Sequence, residues 1–194
     1  MKVLIVVSHP RKDSLTFKVA DRFAQGLAEA GHDYEILDLH GIGFDPVLKG
    51  EDEPDFSAAE QLFSPEVEME IRRLKENDAL TFIFPVWWWY LPAMLKGYID
   101  RVWNNGFAYG SNKLHHEHVL WIGLAGVSKE QMKKRNYDES ITHLLNVGIA
   151  DYCGVPNSKV EFLYETLGSD SKHYEMLLNQ AHDLGLNYAK EQQS

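Results

Sequence analysis

Residues 3–7, Val-Leu-Ile-Val-Val, form an unbroken apolar run, and turn-prone residues 8–14 follow it at once. A strand with one wet face alternates apolar and polar side chains, so an unbroken run of this length reads as a strand covered on both faces. The cover must come from elsewhere in the chain. Leu15, Val19, Ala20, Phe23, Leu27 and Ala30 recur at three- and four-residue spacing and stop at Gly31, which predicts an amphipathic helix over 15–30. A second strand is expected at 34–39. Strand, helix and strand joined by short links is the pattern of a parallel sheet, whose neighbouring strands need a crossover.

The same alternation continues. Helices are predicted at 65–76, 93–103, 138–152 and 174–189, with strands at 79–84, 119–124 and 160–164. Between them, residues 40–64 hold Gly41, Gly43, Pro46, Gly50, Pro54 and many acids. That is too many breakers for one regular element, although 57–63 has the composition of a helical turn. No repeat or linker divides the series. The expectation is one α/β domain over 1–194, a doubly wound five-stranded parallel sheet with helices on both faces. Ligands of such sheets sit beyond the carboxyl ends of the strands, which directs attention to residues 8–16, 85–92 and 125–137.

Charge and composition exclude several classes. A formal net charge of -10 repels a phosphate backbone, and the one short basic run, Lys133-Lys134-Arg135, is no nucleic-acid footprint. No apolar stretch reaches the length of a membrane span or a signal h-region, so a cytoplasmic protein is expected. The single cysteine, Cys153, rules out an intramolecular disulfide.

Loop 8–16 joins a buried strand to a helix N-terminus, where free N–H groups and the helix dipole favour a phosphate, and Ser14 and Thr16 add hydroxyls. The competing reading is that Ser14 only caps the helix. Loop 85–92 carries four consecutive aromatics, Trp87, Trp88, Trp89 and Tyr90, at a strand's carboxyl end. A flat ring such as an isoalloxazine would cover them, and so would a dimer partner.

The run FPVWWWYLPAMLKGYIDRVWNNGFAYG, residues 84–110, resembles the second flavin-binding segment of the NAD(P)H:quinone oxidoreductase family, the group of DT-diaphorase and modulator of drug activity B. His9-Pro10 with Ser14 is similar to that family's opening motif, and the likeness in strand order and length covers nearly the whole chain. The resemblance implies a flavodoxin-like fold, bound FAD or alternatively FMN, hydride donation by NADH or NADPH, and ping-pong reduction of a quinone or similar flat acceptor. It implies that His9, Ser14 and Thr16 contact the flavin phosphates and that Pro85, Val86, Trp87, Trp88, Trp89 and Gly126 hold the ring. Tyr109 would reach the site of a second subunit in a homodimer. Tyr137 and His143, six positions apart, match a Tyr and a His that assist the hydride step. A regulatory flavoprotein subunit of a potassium-efflux transporter shares the fold and many of these motifs and stands as the alternative.

Two features are set aside. Consecutive residues His115, His116, Glu117 and His118 point in different directions, and no metal site is expected. Cys153 beside Gly154 reads as a small buried residue with no thiolate-stabilising neighbour.

Overall fold

The computed structural model describes residues 1–57, 61–168 and 170–188. Five parallel strands, β1 (Lys2–Val7), β2 (Asp33–Asp38), β3 (Ala79–Pro85), β4 (His118–Leu124) and β5 (Asn157–Leu163), lie in the order β2-β1-β3-β4-β5. The doubly wound α/β fold expected from the apolar runs is therefore present. Period-two alternation along each buried strand divides the core in two. Leu4, Val6, Leu80, Phe82, Phe84 and Trp121 face one side, against α2 (Pro65–Lys75) and α3 (Ala93–Val102). Val3, Ile5, Val7, Ile83 and Ile122 face the other, against α1 (Leu15–Glu29) and, after α4 (Lys129–Lys133) and α5 (Tyr137–His143), the last helix α6 (Ser171–Leu186).

Helices α1 and α6 pack backbone to backbone. A Cβ on Gly26 would stand 2.1 Å from His182 O, and one on Gly185 would stand 2.1 Å from Phe23 O, so both positions have room only for glycine.

Two expectations are corrected, and a third falls outside the described residues. The single helix predicted over 138–152 is α5 followed by a π-helix, Leu144–Asp151, and the short α4 precedes it. Asn136, with φ 55°, takes the left-handed conformation that separates α4 from α5, a break the periodicity of apolar residues does not register. The last helix begins at Ser171 rather than 174, because Asp170 caps it by accepting from Lys172 N–H, and it ends at Leu186; Ala189 lies outside the described residues. The helical turn predicted at 57–63 falls across residues 58–60, also outside the described residues.

The breaker-rich stretch between β2 and α2 is tied down by charge. Arg101 of α3, fully buried, donates from Nη2 to Asp52 Oδ2 at 2.7 Å and from Nη1 to Glu66 Oε2 at 2.5 Å. Asp52 also accepts from Ser64 N–H at 2.8 Å. Burial pushes the Asp52 carboxyl upward, but the Ser64 and Arg101 hydrogen bonds outweigh it and hold the group below the usual aspartate range.

Candidate functional site

The chain leaving β3 turns back within two residues. Trp87 N–H donates to Tyr90 O at 3.2 Å and Tyr90 N–H to Trp87 O at 3.1 Å; between them Trp88 and Trp89 have φ of 50° and 60°. Positive φ at both central positions marks a type I′ turn, usually built from Asn-Gly. A bulky residue in that conformation costs about 1–3 kcal/mol, so the surroundings must hold it. Trp89 is held by Tyr137, whose ring stacks on it with centroids 4.0 Å apart and planes 14° from parallel. Trp88 is 94% exposed.

A cleft of about 360 Å³ opens beside this turn. Residues 85–89 line it from the end of β3, residues 124–127 from the end of β4, and Thr166 with Leu167 from the loop after β5. The volume lies within the span of roughly 300–1,000 Å³ typical of small-molecule sites, and no charged side chain lines the walls. Leu167 Cδ1 sits 2.7 Å from where a Cβ on Gly126 would be, so the absence of a side chain at 126 lets the two loops close together. The N–H groups of Trp88, Trp89 and Gly126 have no partner among the described residues.

At the end of β1, Ser8 and Ser14 are buried and neither hydroxyl has a hydrogen-bond partner among the described residues. Ser14 stands at the N-cap of α1 but makes no capping bond, so its hydroxyl is not used up as a cap. The N–H groups of Leu15, Thr16 and Phe17 are likewise free among the described residues, as the first turn of a helix requires. His9 engages the Arg11 backbone through Nδ1, 3.0 Å from the nitrogen and 3.2 Å from the oxygen, which leaves Nε2 available. Burial, opposed by the Arg11 backbone contact, brings the His9 pKa below the ordinary histidine value, so the ring is neutral near pH 7. His9 and Trp87 rings lie 6.0 Å apart, which links this loop to the aromatic turn.

The structure thus brings Pro85, Val86, Trp87, Trp88, Trp89 and Gly126 around one cleft, with Tyr137 and His9 reaching it through Trp89 and Trp87. Ser14 and Thr16 lie buried at the start of α1. Tyr109 is half-buried beside Tyr152, ring centroids 5.6 Å apart, and does not line the cleft. His143 does not line it either: six residues turn an α-helix about 240°, so His143 and Tyr137 point in different directions, and His143 is exposed. Thr166 and Leu167 were not among the sequence candidates. The carboxyl-end rule that pointed to the other loops applies equally to β5 and finds them.

His116 donates from Nε2–H to Leu74 O at 2.9 Å and is buried. Among the described residues no group of three His, Cys, Asp or Glu side chains is placed to hold a metal, and no helix is long and apolar enough to cross a membrane. Cys153 is buried, and desolvation raises its thiol to about 11.

A family model described as flavodoxin-like fold matches residues 1–184. An uncharacterized NAD(P)H oxidoreductase of Escherichia coli (strain K12), YcaK, is 40% identical over 94% of this chain and 96% of its own length. An uncharacterized NAD(P)H oxidoreductase of Haemophilus influenzae (strain ATCC 51907 / DSM 11121 / KW20 / Rd) is 30% identical over 83% of this chain and 82% of its own. Among solved structures, the NAD(P)H:quinone oxidoreductase from Methanothermobacter marburgensis superposes with a TM-score of 0.89 at 32% identity, covering 96% of this chain and 95% of that one.

Proposed function

This chain belongs to the flavodoxin-like family of NAD(P)H oxidoreductases and quinone reductases, and on that premise we propose that it is a flavin-dependent NAD(P)H oxidoreductase reducing quinones or similar flat acceptors. The observation that carries the reading is the uncharged cleft at the carboxyl ends of β3 and β4, walled by a strained tryptophan turn. Its residues fit a flavin. The orphaned Ser14 hydroxyl and the free N–H groups of Leu15, Thr16 and Phe17 offer donors to a phosphate, with His9 Nε2 at the rim. Both FAD and FMN carry such a phosphate. Pro85, Val86 and the tryptophans offer a flat apolar wall, while the free N–H groups of Trp88, Trp89 and Gly126 offer donors to negative charge developing on a ring against that wall.

A flavin bound there supplies two-electron chemistry: NAD(P)H gives up a hydride and leaves as NAD(P)+, and the acceptor takes two electrons and two protons, one drawn from solvent, and leaves as the hydroquinone. The chain's part is to orient both substrates in turn against one surface and to keep water off the transfer path, which is ping-pong order in a shared cleft. Tyr137 holds Trp89 in place; His143 takes no part in this reading. The exposed Trp88 is covered by a second copy of the chain, and Tyr109 of each copy faces the other's cleft.

The test is direct. Flavin is released from the purified protein and identified by mass, and oxidation of NADH and NADPH is followed with menadione as acceptor. Bound flavin and menadione-dependent turnover are expected. Protein that carries no flavin, takes up neither FAD nor FMN, and leaves both nicotinamides unoxidised overturns the proposal.

A further inference from the structure

Acids outnumber Lys and Arg in this chain by 29 to 19, yet Lys129, Lys133, Lys134 and Arg135 stand within seven residues of one another against Glu130 alone. All four are exposed, and none of their side chains makes a hydrogen bond or ion pair among the described residues, although the charges of Lys129 and Lys133 act on the Glu130 carboxylate. Several exposed cations elsewhere are ion-paired, Arg11 with Asp13, Lys12 with Asp38, Lys49 with Asp45 and Lys96 with Asp100, and those without an ion pair, such as Lys18 and Lys172, do not stand in a group of four. A set of unpaired cations is self-repelling and needs a reason to stay together.

Both ends of this set are fastened to the cleft. Val127, two residues before Lys129, lines it, and Tyr137, two residues after Arg135, stacks on Trp89, which also lines it. Two residues of chain span at most about 7 Å. The excursion between these anchors is fixed rather than loose: Ser128 and Gln131 form a reciprocal capping box at the start of α4, and Asn136 turns the chain back in the left-handed conformation.

The cleft wall itself has no charged side chain, so a molecule with an uncharged ring at one end and phosphates at the other finds its ring site inside and must find its counter-charges outside the wall, where this rim offers four. We propose that Lys129, Lys133, Lys134 and Arg135 form a phosphate-binding rim that selects the 2′-phosphorylated nicotinamide dinucleotide, NADPH, over NADH. The inference rests on the reading of the cleft as an NAD(P)H oxidoreductase site. A protein with a formal net charge of -10 repels dinucleotides at a distance, and the extra phosphate of NADPH makes that repulsion larger. A local cationic rim reverses the sign where the phosphate arrives. The flavin's phosphate is a separate matter, assigned above to Ser14 and the start of α1.

The test uses the full-length holoprotein and two probes, adenosine 2′,5′-bisphosphate and adenosine 5′-monophosphate, titrated by calorimetry. The bisphosphate is expected to bind about tenfold more tightly. A triple variant, Lys133→Gln, Lys134→Gln, Arg135→Gln, is expected to lose that difference, to raise KM for NADPH about tenfold and to raise KM for NADH by clearly less, with the flavin content per chain unchanged. The charge-keeping variant Lys133→Arg, Lys134→Arg, Arg135→Lys is expected to retain the preference. Equal binding of the two probes to the unaltered protein, an unchanged KM for NADPH in the glutamine variant, or a loss that follows flavin depletion would each overturn the rim. Should the protein oxidise neither nicotinamide, the oxidoreductase reading fails, and the calorimetric comparison still decides whether the rim prefers the 2′-phosphate.

Discussion

The rings of Trp89 and Tyr137 stack nearly parallel at 4.0 Å, and through this contact α5 holds a turn whose two central residues both carry positive φ. An aromatic pair adds about 0.5–1.5 kcal/mol beyond the area it buries, comparable with the cost of one left-handed tryptophan. Tyr137→Phe is therefore expected to keep stability and activity, because it keeps the stack. Tyr137→Ala is expected to lower unfolding free energy by about 1–2 kcal/mol and kcat/KM about tenfold. Denaturant titration and tryptophan fluorescence check the first part and steady-state kinetics the second. Equal loss in both variants would show that the hydroxyl, not the ring, carries the effect.

Trp88 is held in the same strained backbone but touches almost nothing, being 94% exposed. Glycine adopts positive φ without steric penalty, so Trp88→Gly is expected to stabilise the isolated chain by about 1 kcal/mol while reducing activity. A stable but weakly active variant is the pattern left when strain serves a site rather than the fold. Thermal unfolding and turnover measured on the same preparation test it. A variant that is both less stable and fully active would show that the tryptophan belongs to the scaffold.

The parallel sheet and the two-sided core were legible because burial on both faces leaves little choice of composition: the 3–7 run and the spacing of Leu15, Val19, Phe23 and Leu27 admit little else, whereas the strand order came only with the family resemblance. The aromatic cleft wall was legible because consecutive tryptophans at a strand's end are chemically conspicuous. Other features carry no such mark. Positive φ at Trp88 and Trp89 is a backbone property that tryptophan does not announce, and Asn136, of a type that visits the left-handed region but does not require it, was not read as a break, so the α4–α5 break was missed. Thr166 and Leu167 are ordinary loop residues whose place depends on how β5 pairs with β4. Arg101 carries no mark of burial in the sequence and is the buried centre of a charge cluster only because Asp45, Asp52 and Glu66 come against it.

That cluster should dominate the response to substitution on its side of the sheet. Removing Arg101 leaves Asp52 buried without its counter-charge, and breaking a buried pair in this way costs about 3–5 kcal/mol. Arg101→Ala is therefore expected to lower the midpoint of thermal unfolding by about 10 °C or more. Asp52 has a lowered pKa in the fold, so its stabilisation is complete above the ordinary aspartate range and disappears as pH falls through the lower folded value. Asp52→Asn should accordingly flatten the acid limb of the stability curve. An acid limb identical to that of the unaltered protein would exclude the pair as its source.

His116 sets a second pH dependence, in a higher window. Its Nε2 meets Leu74 O at 2.9 Å while Nδ1 is buried without a partner, so a proton added there would be an unpaired charge in the core. Burial first, and the neighbouring His115 second, lower its pKa from 6.5 to about 4. Because the unfolded chain binds this proton more readily than the folded one, the stabilisation is complete above pH 6.5 and is lost as pH falls toward 4. The shift corresponds to on the order of 3 kcal/mol over that interval. Urea unfolding at pH 7.5 and pH 5 should show the unaltered protein losing stability between the two, and His116→Gln, which does not titrate, losing distinctly less. The same loss in both proteins would mean that His116 is not the titrating group.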